Sequence, residues 1–365
     1  MNHDAIYRKA LRREPVSAEE ALLIYQQSPV AELAAVADEL RRAVVPDPGV
    51  ITWQIDRNVN ITNVCISGCK FCNFHCKPHH KEAAYITSME EYCLKIEQTL
   101  AAEGDQLLLQ GGLHPDLTIT FYEELFRELK KRYPSLKLHA LGPPEVAHIA
   151  RISSLSVEQT LRRLVDAGLD SLPGAGAEIL DPQIRARISP GKPFVESWLD
   201  TMHAAHGMGL ATSATMMYGH VENPRQRIEH LIKIRSLQDR RPAGSPGFIA
   251  FIPWIFHSVG TALEKEGVTA RFSPLEYIRL IAVSRITLNN IDNIQASWLT
   301  VGKATAQMAL HSGANDMGSI MIEENVVSSA GANEKFDAQG IKAAIREAGF
   351  TPQLRDQRYR PRNLR

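Results

Sequence analysis

QIDRNVNITNVCISGCKFCNFHCKPHH, residues 54–80, decides how this chain is read. Its first ten residues, 54–63, alternate as a strand does, and they run straight into Cys65, Cys69, Cys72 and Cys76. Four soft ligands in one loop of spacing C-x3-C-x2-C-x3-C can be closed around one metal centre. They can also be three ligands and a bystander, which leaves a coordination position for a substrate. His75, His79 and His80 crowd the last cysteine and add further donors.

The rest of the chain alternates helical and strand patterns. Val30, Leu33, Ala37, Leu40 and Val44 form one apolar helical face, with Ser28-Pro29 expected as N-cap and first-turn proline. Ser88 with Glu91, Thr120 with Glu123 and Ser156 with Gln159 have capping-box spacing, so each is expected to open a helix. Between the helices lie apolar runs that end in Gly or polar clusters: 105–112, 136–142, 169–176, 210–219, 247–254 and 291–298. Such runs read as buried parallel strands. Together they predict an α/β fold, a TIM-type (β/α) barrel, full or partial, with an N-terminal helical extension. A doubly wound open sheet is the competing arrangement. The barrel is favoured because polar residues follow nearly every strand, and in a barrel those ends converge on one mouth. The expected divisions are an extension over 1–50, a barrel over 51–335 and a final helix and tail over 336–365.

Composition narrows the function. Lys+Arg and Asp+Glu balance at 41 each, so no polyanion partner is indicated, and no basic block marks a nucleic-acid arm. The basic end, RDQRYRPRNLR, reads as a solvated tail. The charged N-terminus has no apolar core for a secretion signal. No stretch reaches the ~18 apolar residues of a membrane span. Four of five cysteines sit in one cluster, as expected of metal binding in a reducing, cytoplasmic setting rather than of a disulfide scaffold.

Three metal readings remain open at this level. A structural zinc site would use four tetrahedral ligands, though zinc ligands usually come as two separated pairs. A saturated four-cysteine iron–sulfur cluster would serve electron transfer, but its common spacing is C-x2-C-x2-C with a distant fourth cysteine. In the third reading Cys65, Cys69 and Cys72 hold three irons of a [4Fe-4S] cluster and one iron stays open. With Phe71 before its last cysteine, this loop resembles the signature of radical SAM enzymes, which use S-adenosyl-L-methionine (SAM). Cys76 is then surplus.

Further stretches carry the resemblance from about residue 50 to 335. LLQGGLHP, PGAGAEIL and MMYGHVE follow the cysteine loop in the order found in the branch that contains the F0 synthase halves, aminofutalosine synthase and the futalosine-pathway cyclases. RNVNITNVCISGCKFCNF, the phrase IPW and the long stretch from QASWLTVGKATAQ to ENVVSSAG resemble the cyclases most. Asn73-Phe74-His75-Cys76 departs from the residues usual after the third cysteine. The resemblance implies a [4Fe-4S] cluster and SAM as co-substrate. It implies a reductant such as flavodoxin or ferredoxin, and dehypoxanthine futalosine as substrate in menaquinone biosynthesis. Gln110, Gly111 and Gly112 resemble the motif whose backbone holds the methionine amino group. Gly174, Gly176 and Glu178 would seat adenosine, with Glu178 on a ribose hydroxyl or the ammonium; its bland role is a helix-opening acid. An adenosyl radical would take the ribose C4′ hydrogen, and the carbon radical would attack the benzoate ring.

That chemistry needs a water-poor cavity, a clamp for the carboxylate, hydroxyl binders and a base. The strand-end candidates are His114, Tyr218, His220, Glu222, Trp298, Thr300, Asn315, Asp316 and Ser319, with Glu323 and Glu324 just beyond. His220, Glu222, His114 and Asp316 are the expected catalytic group. Asn315 and Asp316 could equally cap a helix, Met216 and Met217 fill the core, and Trp254 and Trp298 wall any cavity.

Overall fold

A computed structural model describes residues 2–79, 82–323, 325, 329, 331 and 335–362. His80 and Glu324 lie outside the described residues. The strands, in chain order, are β1 (Val50–Gln54), β2 (Asp56–Asn60), β3 (Gln106–Gln110), β4 (Lys137–Ala140), β5 (Ser171–Leu172), β6 (Ala211–Tyr218), β7 (Phe248–Ile255), β8 (Asn293–Ile294), β9 (Asp316–Ser319) and β10 (Thr351–Leu354). β2 to β8 form one parallel sheet in sequential order, and β10, β1 and β9 form a second. Helices alternate with the strands of the larger sheet.

The larger sheet curls into a barrel. Its two edges meet across β9 and the residues that follow it. Gln295 bridges Asp316 on one side. On the other, Ile320 donates to the Gln54 carbonyl at 3.0 Å and Ile322 to the Asp56 carbonyl at 3.1 Å. The eighth barrel position is therefore filled by the short strand β9 and the irregular residues that follow it, which sharpens the expected full or partial barrel.

Period-two alternation sorts the strand residues. In β3, Leu107 and Leu109 are fully buried against the helices, while Gln106, Leu108 and Gln110 face the interior. In β2, Val59 joins the outer core and Asp56, Asn58 and Asn60 point inward. The registers Asn58↔Leu108, Leu108↔His139 and His139↔Ser171 align one interior layer across four strands. An interior this polar is unusual, since barrel centres are normally filled by branched aliphatic residues.

The helices begin close to where the caps placed them. Ser88 accepts from the Glu91 amide, and Ser156 and Gln159 form a reciprocal capping box. The helix expected from Thr120 instead starts at Ile119 with Thr118 at its N-cap. Pro29, and not Ser28, occupies the N-cap of the Val30–Val44 helix. The Ser28 hydroxyl is engaged elsewhere, accepting from Tyr7 at 2.7 Å.

The C-terminal segment differs most from expectation. After the helix Ala338–Glu347 the chain forms β10 alongside β1, pairing Val50↔Thr351 through Trp53↔Leu354. Arg355 is then buried, and Arg355, Gln357 and Tyr359 line the central cavity. Residues 355–359, the first part of the basic run that read as a solvated tail, lie against the barrel interior.

Candidate active site

The barrel interior holds a cavity of about 420 Å³ that reaches from the cysteine loop to the C-terminal segment. Cys65, Cys69 and Cys72 line it, with Phe71, Phe74 and His75. Cys76 does not line it; residues 64 and 76 form a parallel bridge, in which the Cys65 amide donates to the Cys76 carbonyl at 2.9 Å and the Cys76 amide to the Asn63 carbonyl at 2.7 Å. The backbone at Cys76 thus ties down the base of the loop, and the residue is buried without lining the cavity.

The loop is held from several sides. Lys70 donates to the Ile188 carbonyl, Gly191 to the Ser67 carbonyl and Leu263 to the Lys70 carbonyl. Gly68 takes a left-handed φ of +60° that lets the chain reverse between the first two cysteines. The Leu113 amide points at the Cys65 sulfur at 3.2 Å, and the Ser67 hydroxyl lies 2.9 Å from that sulfur and 3.3 Å from the Cys69 sulfur. Donors directed at sulfur favour thiolate ligands and tune a cluster's potential. Burial, reinforced by neighbouring Cys69, pushes the free Cys72 thiol up to about 11. Cluster binding requires the thiolate, so the positive charge of iron would offset that cost as the proton leaves. Among the described residues no three His, Cys, Asp or Glu side chains are grouped to hold a single metal ion. The thiolates of a four-iron cubane stand farther apart, because each binds a different iron. The donor set fits such a cluster.

Gln110 ends β3, Gly111 and Gly112 follow it, and all three line the cavity with Cys65. A Cβ on Gly112 would fall 2.1 Å from the Val64 carbonyl oxygen, so only glycine allows this approach to the cysteine loop. Gly174 is equally confined, by the Ser213 carbonyl, but does not line the cavity; Gly176 does. Glu178 also faces the cavity, buried, with a left-handed φ of +43° and an ion pair to Lys192. Burial alone would raise this carboxyl, but the Lys192 ammonium outweighs it and holds the group below the usual range. Lys192 also stands over the Phe71 ring, 5.3 Å from its centroid, and its pKa is raised by Cys69 and Glu178 against the effect of burial.

Two functional candidates were missed in the sequence. Lys192 lies in an unremarkable loop, SPGKPF. Glu145 opens the helix Pro143–Ile152 as its third residue, where an acid is expected on capping grounds alone. Its carboxylate accepts from the Gly111 amide at 2.9 Å and the Gly142 amide at 2.6 Å, which ties the glycine motif to the next strand end. Burial raises it to about 7 despite those donors. A raised acid favours the neutral form in the fold. Its contribution to stability is therefore full below the unfolded value near 4.5 and is lost as pH rises through about 7. We expect Glu145→Gln to remove this slope, on the order of 3 kcal/mol, in unfolding curves of the apoprotein measured from pH 5 to 8.

None of the expected catalytic group lines the cavity, although His220 and Glu222 meet at 3.0 Å. His220 and Glu222 are buried outside the cavity. Glu222 accepts from the Gly219 and His220 amides and pairs with Arg227 at 2.7 Å. Arg227 in turn reaches Tyr25 and Glu276, joining the N-terminal helices to the barrel. Glu222→Ala should accordingly cost about 1–3 kcal/mol, because it removes one of the two carboxylates on Arg227 and leaves the buried Gly219 and His220 amides unmet, visible in urea unfolding. SAM cleavage by the folded protein should persist. His114 lies beside the site but does not line the cavity; its ring accepts from the Asp116 amide and its carbonyl meets His148. Asp316 is fully buried and paired with Arg355. Asn315 bonds Arg285, and Glu323 pairs with Lys95 and Arg57. Trp254, Trp298, Thr300 and Ser319 do line the cavity, whereas Tyr218, Met216 and Met217 belong to the core.

Residues 59–234 match the family model of the radical SAM superfamily, and residues 245–365 that of the CofH/MqnC C-terminal region. The chain is 43% identical to the cyclic dehypoxanthine futalosine synthase of Streptomyces coelicolor, over 94% of this chain and 85% of the relative. It is 41% identical to that of Halalkalibacterium halodurans, over 98% and 95%. The chain belongs to the radical SAM enzymes.

Radical SAM enzymes carry a [4Fe-4S] cluster and use SAM, so the cavity of this one serves radical chemistry. A second group of relatives is also close. A 5-amino-6-(D-ribitylamino)uracil–L-tyrosine 4-hydroxyphenyl transferase from Methanopyrus kandleri is 38% identical over 89% of this chain and 87% of the relative. In fold, this radical SAM enzyme is similar to methylornithine synthase (PylB), with a TM-score of 0.71 at 16% identity over 95% of this chain and 97% of that one. HydG, a maturase of the [FeFe]-hydrogenase, gives 0.73 at 14% over 96% and 75%. No helix among the described residues is long and apolar enough to cross a membrane.

Proposed function

We propose that this radical SAM enzyme is a cyclic dehypoxanthine futalosine synthase, forming a carbon–carbon bond within dehypoxanthine futalosine in menaquinone biosynthesis. Identity of 41–43% along nearly the whole chain carries the reading. The largely apolar cavity that runs from three cysteines into the barrel interior supports it, because a radical needs walls that keep water off it. Cys65, Cys69 and Cys72 would hold the [4Fe-4S] cluster, which would supply the electron for cleaving SAM into methionine and a 5′-deoxyadenosyl radical. A low-potential donor such as flavodoxin or ferredoxin delivers that electron.

The chain's own residues position the reactants. The Gly111 and Gly112 backbone lies against the methionine end, and Glu178 with Lys192 pairs its charged groups. Trp254 and Trp298 wall the middle of the cavity and keep water from the radical. The substrate sits beneath with its ribose C4′ toward the cysteine mouth. Transfer of the C4′ hydrogen to the adenosyl radical, attack of the carbon radical on the benzoate ring, and loss of a proton to a base and of one electron to a one-electron acceptor such as the oxidised cluster would give a product two hydrogens lighter than the substrate.

The test is anaerobic turnover with SAM, a reductant and dehypoxanthine futalosine. Formation of 5′-deoxyadenosine together with the lighter cyclic product supports the reading; no cyclic product sinks it. The 38% identity to the 4-hydroxyphenyl transferases motivates the parallel assay with L-tyrosine and 5-amino-6-(D-ribitylamino)uracil. Turnover there, and none with dehypoxanthine futalosine, would reassign the enzyme.

A further inference from the structure

The end of the cavity farthest from the cysteines is floored by amide side chains with unmatched polar atoms. Gln54, Asn58 and Gln106 are each at most 4% exposed, and all three line the cavity. The Gln54 Nε2, the Asn58 Oδ1 and the Gln106 Oε1 have no hydrogen-bond partner. Gln357, entering from the C-terminal segment, adds both of its amide atoms. Each such buried orphan costs about 1–3 kcal/mol unless something meets it, so the floor is built for a ligand.

Two of the amides have their orientation set by neighbours. The Gln54 Oε1 accepts from Arg355 Nη1 at 2.6 Å, which leaves its NH2 group to donate into the cavity. The Gln106 Nε2 donates to Asp56 Oδ2 at 3.0 Å, which leaves its carbonyl oxygen to accept. The floor therefore offers donors and acceptors side by side. Its charges are already committed. Arg355 is bound through two nitrogens to Asp316, at 2.6 and 3.0 Å, and stacks on Tyr359 at 3.8 Å. Asp56 is held by Gln106 and Ser319. A carboxylate placed here would face two carboxyl groups and no uncommitted cation. A hydroxyl, which donates and accepts through one oxygen, matches the set.

Resting on the functional reading above, we propose that Gln54, Asn58 and Gln106 recognise the ribose hydroxyls of the substrate, and that its benzoate carboxylate is bound elsewhere. The amides then select a hydroxylated substrate and hold C4′ at a fixed height below the cysteine mouth.

The experiment uses the reconstituted holoenzyme with dehypoxanthine futalosine and with analogues that each lack one ribose hydroxyl. Wild type should lose about 10–100-fold in kcat/KM on at least one analogue, as expected for one unmet hydrogen bond. Gln54→Leu and Gln106→Leu should raise KM for the parent substrate and shrink that discrimination to a few-fold. They should also release more 5′-deoxyadenosine per cyclic product, while iron content and the spectral response to SAM stay as in wild type. Gln106→Met replaces the leucine variant if that one does not fold. Wild type indifferent to every hydroxyl, or variants that keep the full discrimination, would overturn the proposal. So would a methyl ester of the benzoate that erases the Gln54→Leu effect, since the carboxylate would then be the floor's ligand. A wild type that makes no cyclic product overturns the functional reading itself, and the floor's assignment to ribose falls with it.

Discussion

Alanine at Cys65, Cys69 or Cys72 should abolish both the cluster and SAM cleavage, whereas alanine at Cys76 should leave about four irons per chain. The argument is geometric. Three sulfurs open onto the cavity, and two of them receive hydrogen-bonding groups. The fourth cysteine contributes its backbone to the 64–76 bridge, and alanine keeps that backbone. Iron analysis and absorption spectra after anaerobic reconstitution give the first readout. A spectral change on adding SAM gives the second, since only an open iron responds. Zinc in place of iron, or cluster loss in the Cys76 variant, would restore the closed-site reading.

Arg355→Met should be the most destabilising single change outside the cluster loop. The guanidinium and the Asp316 carboxylate are both buried, at 5% and 0% side-chain exposure, and joined at 2.6 Å. Removing one partner strands the other charge, at a cost of about 3–5 kcal/mol. The methionine also frees the Gln54 carbonyl and uncovers Tyr359. Urea unfolding should show a lower midpoint. Adding Asp316→Asn should recover part of the loss, because the second change removes the stranded charge. Equal midpoints for wild type and Arg355→Met would show that the C-terminal segment does not hold the barrel closed.

Much of this was legible in one dimension. The β2 alternation, the cysteine spacing and the glycines after β3 are local features with local causes. They placed the cluster loop at a strand end and paired it with the QGG turn. Ser156 and Gln159 marked a helix start because capping is an interaction between neighbours in sequence. Thr120 and Ser28 failed as caps for the converse reason. Several polar residues near a helix start can serve, and the packing around them chose Thr118 in one case and gave Ser28 to Tyr7 in the other.

His220 and Glu222 show where strand-end reasoning stops. Both follow β6 as functional residues would, yet His220 pairs with Glu222, and Glu222 is held by Arg227, which also reaches Tyr25 of the N-terminal helices. Position along a strand is a local property, but the side of the barrel a loop residue faces depends on what else needs its charge. Lys192 and Glu145 are the opposite case. Nothing in their neighbourhoods marked them, and only folding set one beside Cys69 and Glu178 and the other beneath Gly111.

The sequence by itself determined the metal chemistry and the alternating α/β frame, because ligand spacing and hydrophobic period are short-range. The tertiary structure alone decided which charges are already spent. It also decided that residues 355–359 form a wall of the site. Those outcomes depend on contacts across roughly three hundred residues, such as Gln54 with Arg355, 301 positions apart. No local pattern records them.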